Sequence, residues 1–83
     1  MATYYQELDF NHFVVITSEG AIFGSARAQG RIYNFLIREG NIQQQVGEDW
    51  QDVDDQVAGL VRQRAQDAYT TVPTYKIGRF ISN

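Results

Sequence analysis

The sequence contains no cysteine and only one histidine and one proline among its 83 residues. Without cysteine there is no disulfide, no thiolate nucleophile and no cysteine-ligated zinc site, which excludes a disulfide-stabilised secreted scaffold. The single histidine, His12, falls in a predicted turn, and a lone histidine lacks the converging partners that a catalytic base or a metal site needs. We therefore expect no metal, no cofactor and no histidine-based active site.

Long apolar runs are also missing. The longest run covers only residues 13–16, whereas a membrane-spanning helix needs about 20 apolar residues. The first ten residues, MATYYQELDF, have neither the basic start nor the apolar centre of a signal peptide. With 43% hydrophobic and 20% charged residues, the composition predicts one globular domain over residues 1–83, in the cytoplasm and without a membrane partner.

Acidic residues outnumber basic ones by ten to seven, giving a net charge of −3. This balance disfavours nucleic-acid binding, whose affinity comes mainly from neutralising phosphates. Five acids crowd one short stretch: Glu48, Asp49, Asp52, Asp54 and Asp55. We interpret them as one candidate binding surface, because clustered carboxylates can imitate phosphate toward a basic, nucleic-acid-binding protein.

The first half of the chain alternates between strand-forming runs and turn signals, a pattern typical of an antiparallel sheet. Turn signals recur at Asn11-His12, Glu19-Gly20, Gln29-Gly30 and Gly40-Asn41. The runs between them are rich in aromatic and β-branched residues, which favour strands. The predicted strands are residues 4–10, 13–18, 21–28, 31–38 and 42–46.

The period of the apolar residues changes after this meander. From residue 49 to residue 69 they recur at steps of three and four, which predicts one long helix. Asp49 is expected to cap its first turn, and Gly59 to permit close packing. Pro73 follows its end, and the stretch TYKIGRFIS (residues 74–82) predicts a last strand. The expected fold class is α+β: an antiparallel meander of about five strands, one long helix packed on one face, and a C-terminal strand.

Alternation along the strands assigns residues to the two faces of this sheet. If each hairpin has a two-residue loop, one face carries the rows Thr17–Ile22–Ile37, Val15–Gly24–Phe35 and Phe13–Ala26–Tyr33. We expect this face to lie under the helix, whose apolar stripe starts at Trp50.

The opposite face of the predicted sheet carries the row Ile16–Phe23–Leu36, with Tyr5 on one side and Arg27 and Arg38 on the other. One helix cannot cover both faces of a sheet. Three alternatives remain for this second face: it is solvated, it binds a protein partner or a second copy of the chain, or the C-terminal segment folds across it.

No set of residues has the spacing that catalysis requires. No glycine elbow frames Ser18 or Ser25, and no phosphate-binding glycine loop leads into a helix. The acidic run EDWQDVDDQ is not a calcium loop, because Val57 occupies the position where such a loop needs glycine. The sequence therefore predicts a protein that is not an enzyme.

The function predicted is that of a small protein-binding module acting by surface occlusion, as an inhibitor, adaptor or assembly subunit. A short, acidic, cysteine-free chain without a catalytic set resembles the profile of small inhibitors that phages and mobile elements direct at nucleic-acid-binding host complexes. The predicted partner-binding residues are Tyr5, Ile16, Phe23, Arg27, Leu36, Arg38, Glu48, Asp49, Asp52, Asp54 and Asp55. The alternative is a sheet that binds single-stranded nucleic acid by stacking bases on Tyr5 and Phe23 beside Arg27 and Arg31, although Glu7 and Asp9 would repel phosphate there.

Overall fold

The computed structural model describes residues 4–16 and 20–76, and the side chains as far as residue 74. In chain order the elements are a 3₁₀ helix (Tyr4–Glu7), β1 (Asp9–Ile16), β2 (Ala21–Ala28), β3 (Arg31–Ile37), β4 (Ile42–Val46), β5 (Asp49–Asp52), α1 (Asp55–Tyr69) and β6 (Thr74–Lys76). The strands form one sheet in the order β5-β4-β3-β2-β1-β6. β1 to β5 pair antiparallel in succession, and β6 pairs in parallel with β1. The predicted α+β class, with an antiparallel meander and one helix, is confirmed.

The start of the chain differs from the prediction. Residues 4–10 and 13–16 do not form two strands; a 3₁₀ helix is followed by the single strand β1. Residues 17 and 18 of the predicted second strand lie outside the described residues. The register with β2 shifts between Phe10 and His12, which makes a β-bulge at Asn11. The bulge takes up one extra residue, so Phe10 and Phe13 both reach the core despite their odd spacing. The predicted turn at Asn11-His12 is therefore wrong, and His12 lies within β1.

The β2–β3 hairpin agrees with the prediction in both turn and register. Gln29 and Gly30 form its two-residue turn with φ values of 54° and 75°, which are the two positive φ angles of a type I′ turn. Glycine adopts this conformation without the steric cost that a Cβ brings. The register pairs Gly24 with Phe35, and the neighbouring rows follow.

The β1–β2 register is displaced by two residues from the prediction. Ile16 pairs with Ala21, so four residues of the chain lie between this pair, whereas the prediction places two residues between the last pair of the hairpin. Phe13 consequently pairs with Gly24 rather than with Ala26. Because the displacement is even, Phe13 and Val15 of β1 and Ile22, Gly24 and Ala26 of β2 keep the face that the sequence predicted for them.

The predicted helix start is wrong, because residues 49–52 form β5. This strand pairs with β4 through the two-residue turn Gly47-Glu48. The helix begins only at Asp55, and its N-cap is Asp54, whose Oδ1 accepts a hydrogen bond from the Val57 backbone N–H at 2.9 Å. Asp49 therefore does not cap the helix. Trp50 pairs across the sheet with Gln45 and is not part of the helical stripe.

The main core lies between α1 and one face of the sheet, as predicted. Its largest fully buried side chains on this face are Phe10, Phe13, Phe35, Ile42 and Val61. Gly24 lies directly beneath two of these rings: a Cβ there would be 2.8 Å from Cε2 of Phe10 and 3.1 Å from Cε1 of Phe13. The glycine is thus required by packing of the core. Gly59 has no such role, since a Cβ there would meet no atom within 4 Å, and its predicted close packing is wrong.

The apolar centre of the second face is buried within one copy of the chain. Val14, Ile16 and Ala21 form a small buried cluster against which Phe23 packs. The rings of Phe23 and Trp50 meet edge to face, with centroids 6.2 Å apart. Phe23 is on β2 and Trp50 is on β5, and β3 and β4 lie between these two strands in the sheet. The two rings therefore reach toward each other across the second face. Leu36 of β3, on the same face, is buried. The Trp50 ring therefore shields apolar side chains of this face from water.

The structure describes only the beginning of the predicted C-terminal strand. Residues Thr74–Lys76 pair with β1, with Phe13 opposite Thr74. Residues 77–82 of the predicted strand lie outside the described residues. The alternative in which the C-terminal segment crosses the second face lies outside them as well.

Candidate functional site

Two of the predicted partner-binding residues on the second face are not at the surface. Ile16 is 0% exposed and Leu36 is 3% exposed. Their side chains are already removed from water in a single copy, so a second copy is not needed to bury them. Phe23 is half-buried and packs against Trp50.

The remaining residues predicted around this face are dispersed. Arg27 is exposed at one end of β2, and half-buried Arg38 donates from Nη1 to Oε1 of Gln43 at 3.0 Å. Tyr5 lies on the other side of the sheet, where its hydroxyl bonds to a β4 side chain and its ring packs on the helix-side core. Because Tyr5 and Phe23 occupy opposite sides, they do not form the shared stacking surface that the nucleic-acid alternative requires.

The five predicted acidic residues, in contrast, lie close together and are all exposed. Glu48 is in the β4–β5 turn, Asp49 and Asp52 are the two ends of β5, Asp54 is the helix cap and Asp55 begins α1. β5 is the outermost strand on its side of the sheet. We name these five residues the acidic edge. Asp52 and Asp54 are additionally held in place, because Oδ1 of Asp52 accepts from Nδ2 of Asn41 at 3.1 Å and Asp54 accepts from Val57.

A cluster of three tyrosine rings lies next to the acidic edge. The Tyr4 ring stacks on Tyr33, with centroids 4.1 Å apart and planes 11° from parallel, and it contacts Tyr5 at 4.2 Å. Gln44 of β4 joins two of them: Tyr5 donates to its Oε1 at 2.8 Å, and its Nε2 donates to the Tyr4 hydroxyl at 3.0 Å. We name Tyr4, Tyr5, Tyr33 and Gln44 the tyrosine cluster.

Of the four residues of the tyrosine cluster, only Tyr5 was predicted from the sequence as a binding residue. Tyr4 and Gln44 are 40 positions apart, and no local pattern links such distant residues. The sequence also predicts residues 4–10 as a strand, which would point Tyr4 and Tyr5 to opposite faces. The 3₁₀ helix instead brings both rings to the helix side of the sheet.

The environment of Tyr5 raises the pKa of its phenol well above the ordinary value of 10.0. The largest cause is burial, which disfavours the charged phenolate. The hydrogen bond with Tyr4 and the negative charge of Asp54 act in the same direction. Tyr5 is therefore a neutral hydrogen-bond donor throughout the physiological pH range.

Because its pKa is raised, Tyr5 should lose its proton at a higher pH than an ordinary tyrosine when the folded protein is titrated with alkali. A group with a raised pKa stabilises the folded state below its unfolded pKa, and that contribution is lost as the pH rises above about 10. We expect the near-ultraviolet tyrosinate absorbance of the folded protein to contain a late component that Tyr5→Phe lacks. The denatured wild-type protein is the control, and it should lack the same component. If the absorbance titration curves of the folded wild type and of Tyr5→Phe differ only by a component at the ordinary tyrosine pKa, the raised pKa of Tyr5 is wrong.

A groove of about 350 Å³ separates the tyrosine cluster from the acidic edge. It runs between the 3₁₀ helix, β4, β5 and the first turn of α1. Its lining residues are Tyr4, Tyr5, Gln44, Val46, Gln51, Asp52, Val53, Asp54 and Val57. We name it the tyrosine–carboxylate groove. Two of its lining residues are acidic and none is basic. The register of β4 with β5 directs the Gln51 side chain toward the face of the groove and the Asp52 side chain toward the opposite face.

A second groove of about 350 Å³ lies between the C-terminal half of α1 and the sheet. Its lining is mainly apolar, with Phe13, Ile22 and Tyr69 among its residues. Arg62 is the one basic residue lining it, and its Nη2 already donates to the Arg38 carbonyl oxygen at 3.0 Å. This groove contains no residue predicted as a binding residue.

Comparisons with protein-family models, with curated proteins and with solved structures find no match. Within residues 4–16 and 20–76, no group of three or more metal-ligating side chains lies close enough together to hold a metal ion. In the same part of the chain, no helix combines the length and the apolar character needed to cross a membrane.

Proposed function

We propose that this protein is a small non-enzymatic protein-binding module that occupies a basic surface of another protein with its acidic edge. The observation that carries the proposal is the joint exposure of Glu48, Asp49, Asp52, Asp54 and Asp55 on one strand edge and the adjoining helix start. On the second face, by comparison, Ile16 and Leu36 are buried.

Carboxylates in this arrangement present negative charge much as a phosphate backbone does. A basic surface that normally binds nucleic acid would be attracted to the acidic edge and, once covered, would no longer accept its own ligand. Two of the carboxylates are oriented by hydrogen bonds, to Asn41 and to the Val57 N–H, so less side-chain freedom is lost on binding. We therefore propose occlusion, as an inhibitor, adaptor or assembly subunit in the cytoplasm, as the mode of action.

The proposal predicts that binding depends on these charges and on salt. The test compares the wild-type chain with the triple variant Glu48→Gln, Asp49→Asn and Asp52→Asn as baits in a nuclease-treated host extract. Exposed ion pairs are screened over about 10 Å at 0.1 M salt, so proteins retained by the wild type should elute progressively as salt is added. The triple variant should retain at most about a tenth as much of them, a loss of roughly 1.4 kcal/mol or more.

The matched control removes three negative charges elsewhere, with Asp9→Asn, Glu39→Gln and Asp67→Asn, all of which are exposed. This control should retain the same proteins as the wild type. Added duplex or single-stranded DNA should release them, because both ligands would compete for one basic surface. Equal retention by the wild type and the acidic-edge variant, or a complex that DNA does not disturb, would contradict the proposal.

A further inference from the structure

The second groove, between the C-terminal half of α1 and the sheet, is an apolar cleft with a positive charge at one end. Its floor consists of Phe13, Ile22 and Ile37, which come from the three neighbouring strands β1, β2 and β3. Ala65 and Tyr69 form the apolar part of the wall that α1 contributes. We name this cleft the helix–sheet groove.

The dimensions of the helix–sheet groove suit a small molecule. The residues of its helical wall run from Arg62 to the C-cap Thr70, a distance of about 12 Å at the helical rise of about 1.5 Å per residue. Its volume of about 350 Å³ lies within the range of about 300–1,000 Å³ that small-molecule sites occupy. A standard protein–protein interface takes about 20–30 residues a side, whereas eight residues line this groove.

The Arg62 side chain is held in place before any ligand binds. It is half-buried, and its Nη2 donates to the carbonyl oxygen of Arg38 at 3.0 Å. Because Arg38 directly follows Ile37 in the chain, this bond fixes the guanidinium at the β3 end of the floor. A guanidinium has five N–H donors, so one bond leaves the others available to a ligand, and little side-chain freedom is lost on binding.

The positive charge of Arg62 is not balanced by an acid on its own helix face or in the groove. The residues three and four positions away along α1 carry no charge; they are Ala58, Gly59, Ala65 and Gln66. None of the described residues that line the groove is acidic. An oriented, partly desolvated cation beside an apolar floor is complementary to an anion that carries an apolar portion.

We infer that the helix–sheet groove binds a medium-chain fatty acid in its ionised form. The carboxylate accepts from the Arg62 guanidinium through both oxygens, and the alkyl chain lies along α1 over Ile22 and toward Tyr69. This site goes beyond the proposed function, because it shares no residue with the acidic edge.

An aliphatic acid suits this groove better than a small inorganic anion. Phosphate or sulfate could pair with the guanidinium but would leave the apolar floor in contact with water. An alkyl chain removes that floor from water, and each fully buried methylene group strengthens binding up to about fourfold. Octanoate in its extended form is slightly shorter than the helical wall, so its whole chain can lie within the groove.

The test titrates octanoate, at concentrations below those that form micelles, into the isotopically labelled full chain and follows the amide signals by NMR. We expect saturable shifts at Ile22, Ala65, Gln66 and Thr70, with a dissociation constant on the order of a millimolar. Octanamide has the same chain and nearly the same shape but no charge, and it should bind about tenfold more weakly or worse. Hexanoate, which is shorter by two methylene groups, should also bind about tenfold more weakly.

Variants of the chain locate the carboxylate. Arg62→Gln removes the charge and keeps an amide that can donate to the Arg38 carbonyl oxygen. It should weaken octanoate binding about tenfold and change octanamide binding less than about twofold. Gln66→Glu places an acid of nearly the same size one helical turn from Arg62, and it should weaken octanoate binding selectively in the same way.

The matched control is Arg64→Gln. It removes an exposed positive charge from the same helix at a position that does not line the groove, so octanoate binding should change less than about threefold. The NMR spectrum of each variant reports its folding directly, so loss of structure is not mistaken for loss of binding.

Equal binding of octanoate and octanamide, equal effects of Arg62→Gln and Arg64→Gln, shifts outside the groove, or no saturable shift would each overturn the inference. Shifts at the groove residues that grow with protein concentration in the absence of octanoate would show that a second copy of the chain occupies the groove, and they would overturn it as well.

Discussion

Gly24→Val is expected to lower the free energy of unfolding by about 3 kcal/mol, at the upper end of the range for overpacked cores. Gly24 lies under the rings of Phe10 and Phe13, and even a single added carbon would approach Phe10 to 2.8 Å. Both rings are almost completely buried, so a shift of either ring would disturb the close packing of the core around it. Urea denaturation followed by far-ultraviolet circular dichroism measures the change.

The matched control for this substitution is Gly59→Ala. A Cβ at this exposed helical position meets no atom within 4 Å, and alanine is favoured over glycine in a helix by about 1 kcal/mol. The two glycine replacements should therefore change stability in opposite directions. A Gly24→Val protein as stable as the wild type would show that the two phenylalanine rings do not pack as described.

Phe13→Ala is expected to cost about 4 kcal/mol, a value typical of a deleted core phenylalanine. Phe13 is 0% exposed. Its ring stacks on Phe10 with centroids 5.4 Å apart and meets the edge of the Tyr69 ring at 5.2 Å, so it connects the sheet to the end of α1. For a domain of this size such a loss is a large part of the total stability, and the midpoint of urea unfolding should fall accordingly.

The control here is Ile32→Ala on β3. Ile32 is 60% exposed, and surface substitutions of this kind usually change stability by less than about 0.5 kcal/mol. If the two alanine variants unfolded at the same urea concentration, Phe13 would not have the central packing role that its contacts indicate.

Strand β3 and its hairpin were predictable because the information is local. Gln29-Gly30 defines a two-residue turn, and such a turn fixes the register of the strands on both sides of it. At the β1–β2 connection the Glu19-Gly20 signal predicts a two-residue turn as well, but Ile16 pairs with Ala21 and the predicted register is displaced by two residues. Phe13 and Val15 nevertheless lie on the predicted face, because an even displacement leaves each side chain on its original face.

The errors at β5 and at Asn11 have other physical causes. A strand of four residues is too short to show a period, and the spacing of Trp50, Val53 and Val57 also fits a helix. The β-bulge at Asn11 reverses the alternation within one strand, which the sequence shows only as a polar pair resembling a turn. Trp50 was consequently predicted under the helix, although it covers the opposite face of the sheet.

The candidate site was predictable only in its charged part. Five acids within eight residues stand out from composition alone. The tyrosine–carboxylate groove did not, because it forms where the 3₁₀ helix meets β4 and β5, segments separated by about half of the chain. Contacts between such distant segments depend on the whole topology, which no single stretch of sequence specifies.

The position of β5 gives its acidic residues a further consequence. An outermost strand exposes unpaired backbone N–H and C=O groups, and these invite the addition of a foreign strand and, from there, aggregation. Glu48, Asp49 and Asp52 surround this strand with negative charge, so two copies approaching through β5 would repel each other. The same carboxylates therefore disfavour strand addition between copies at this edge of the sheet.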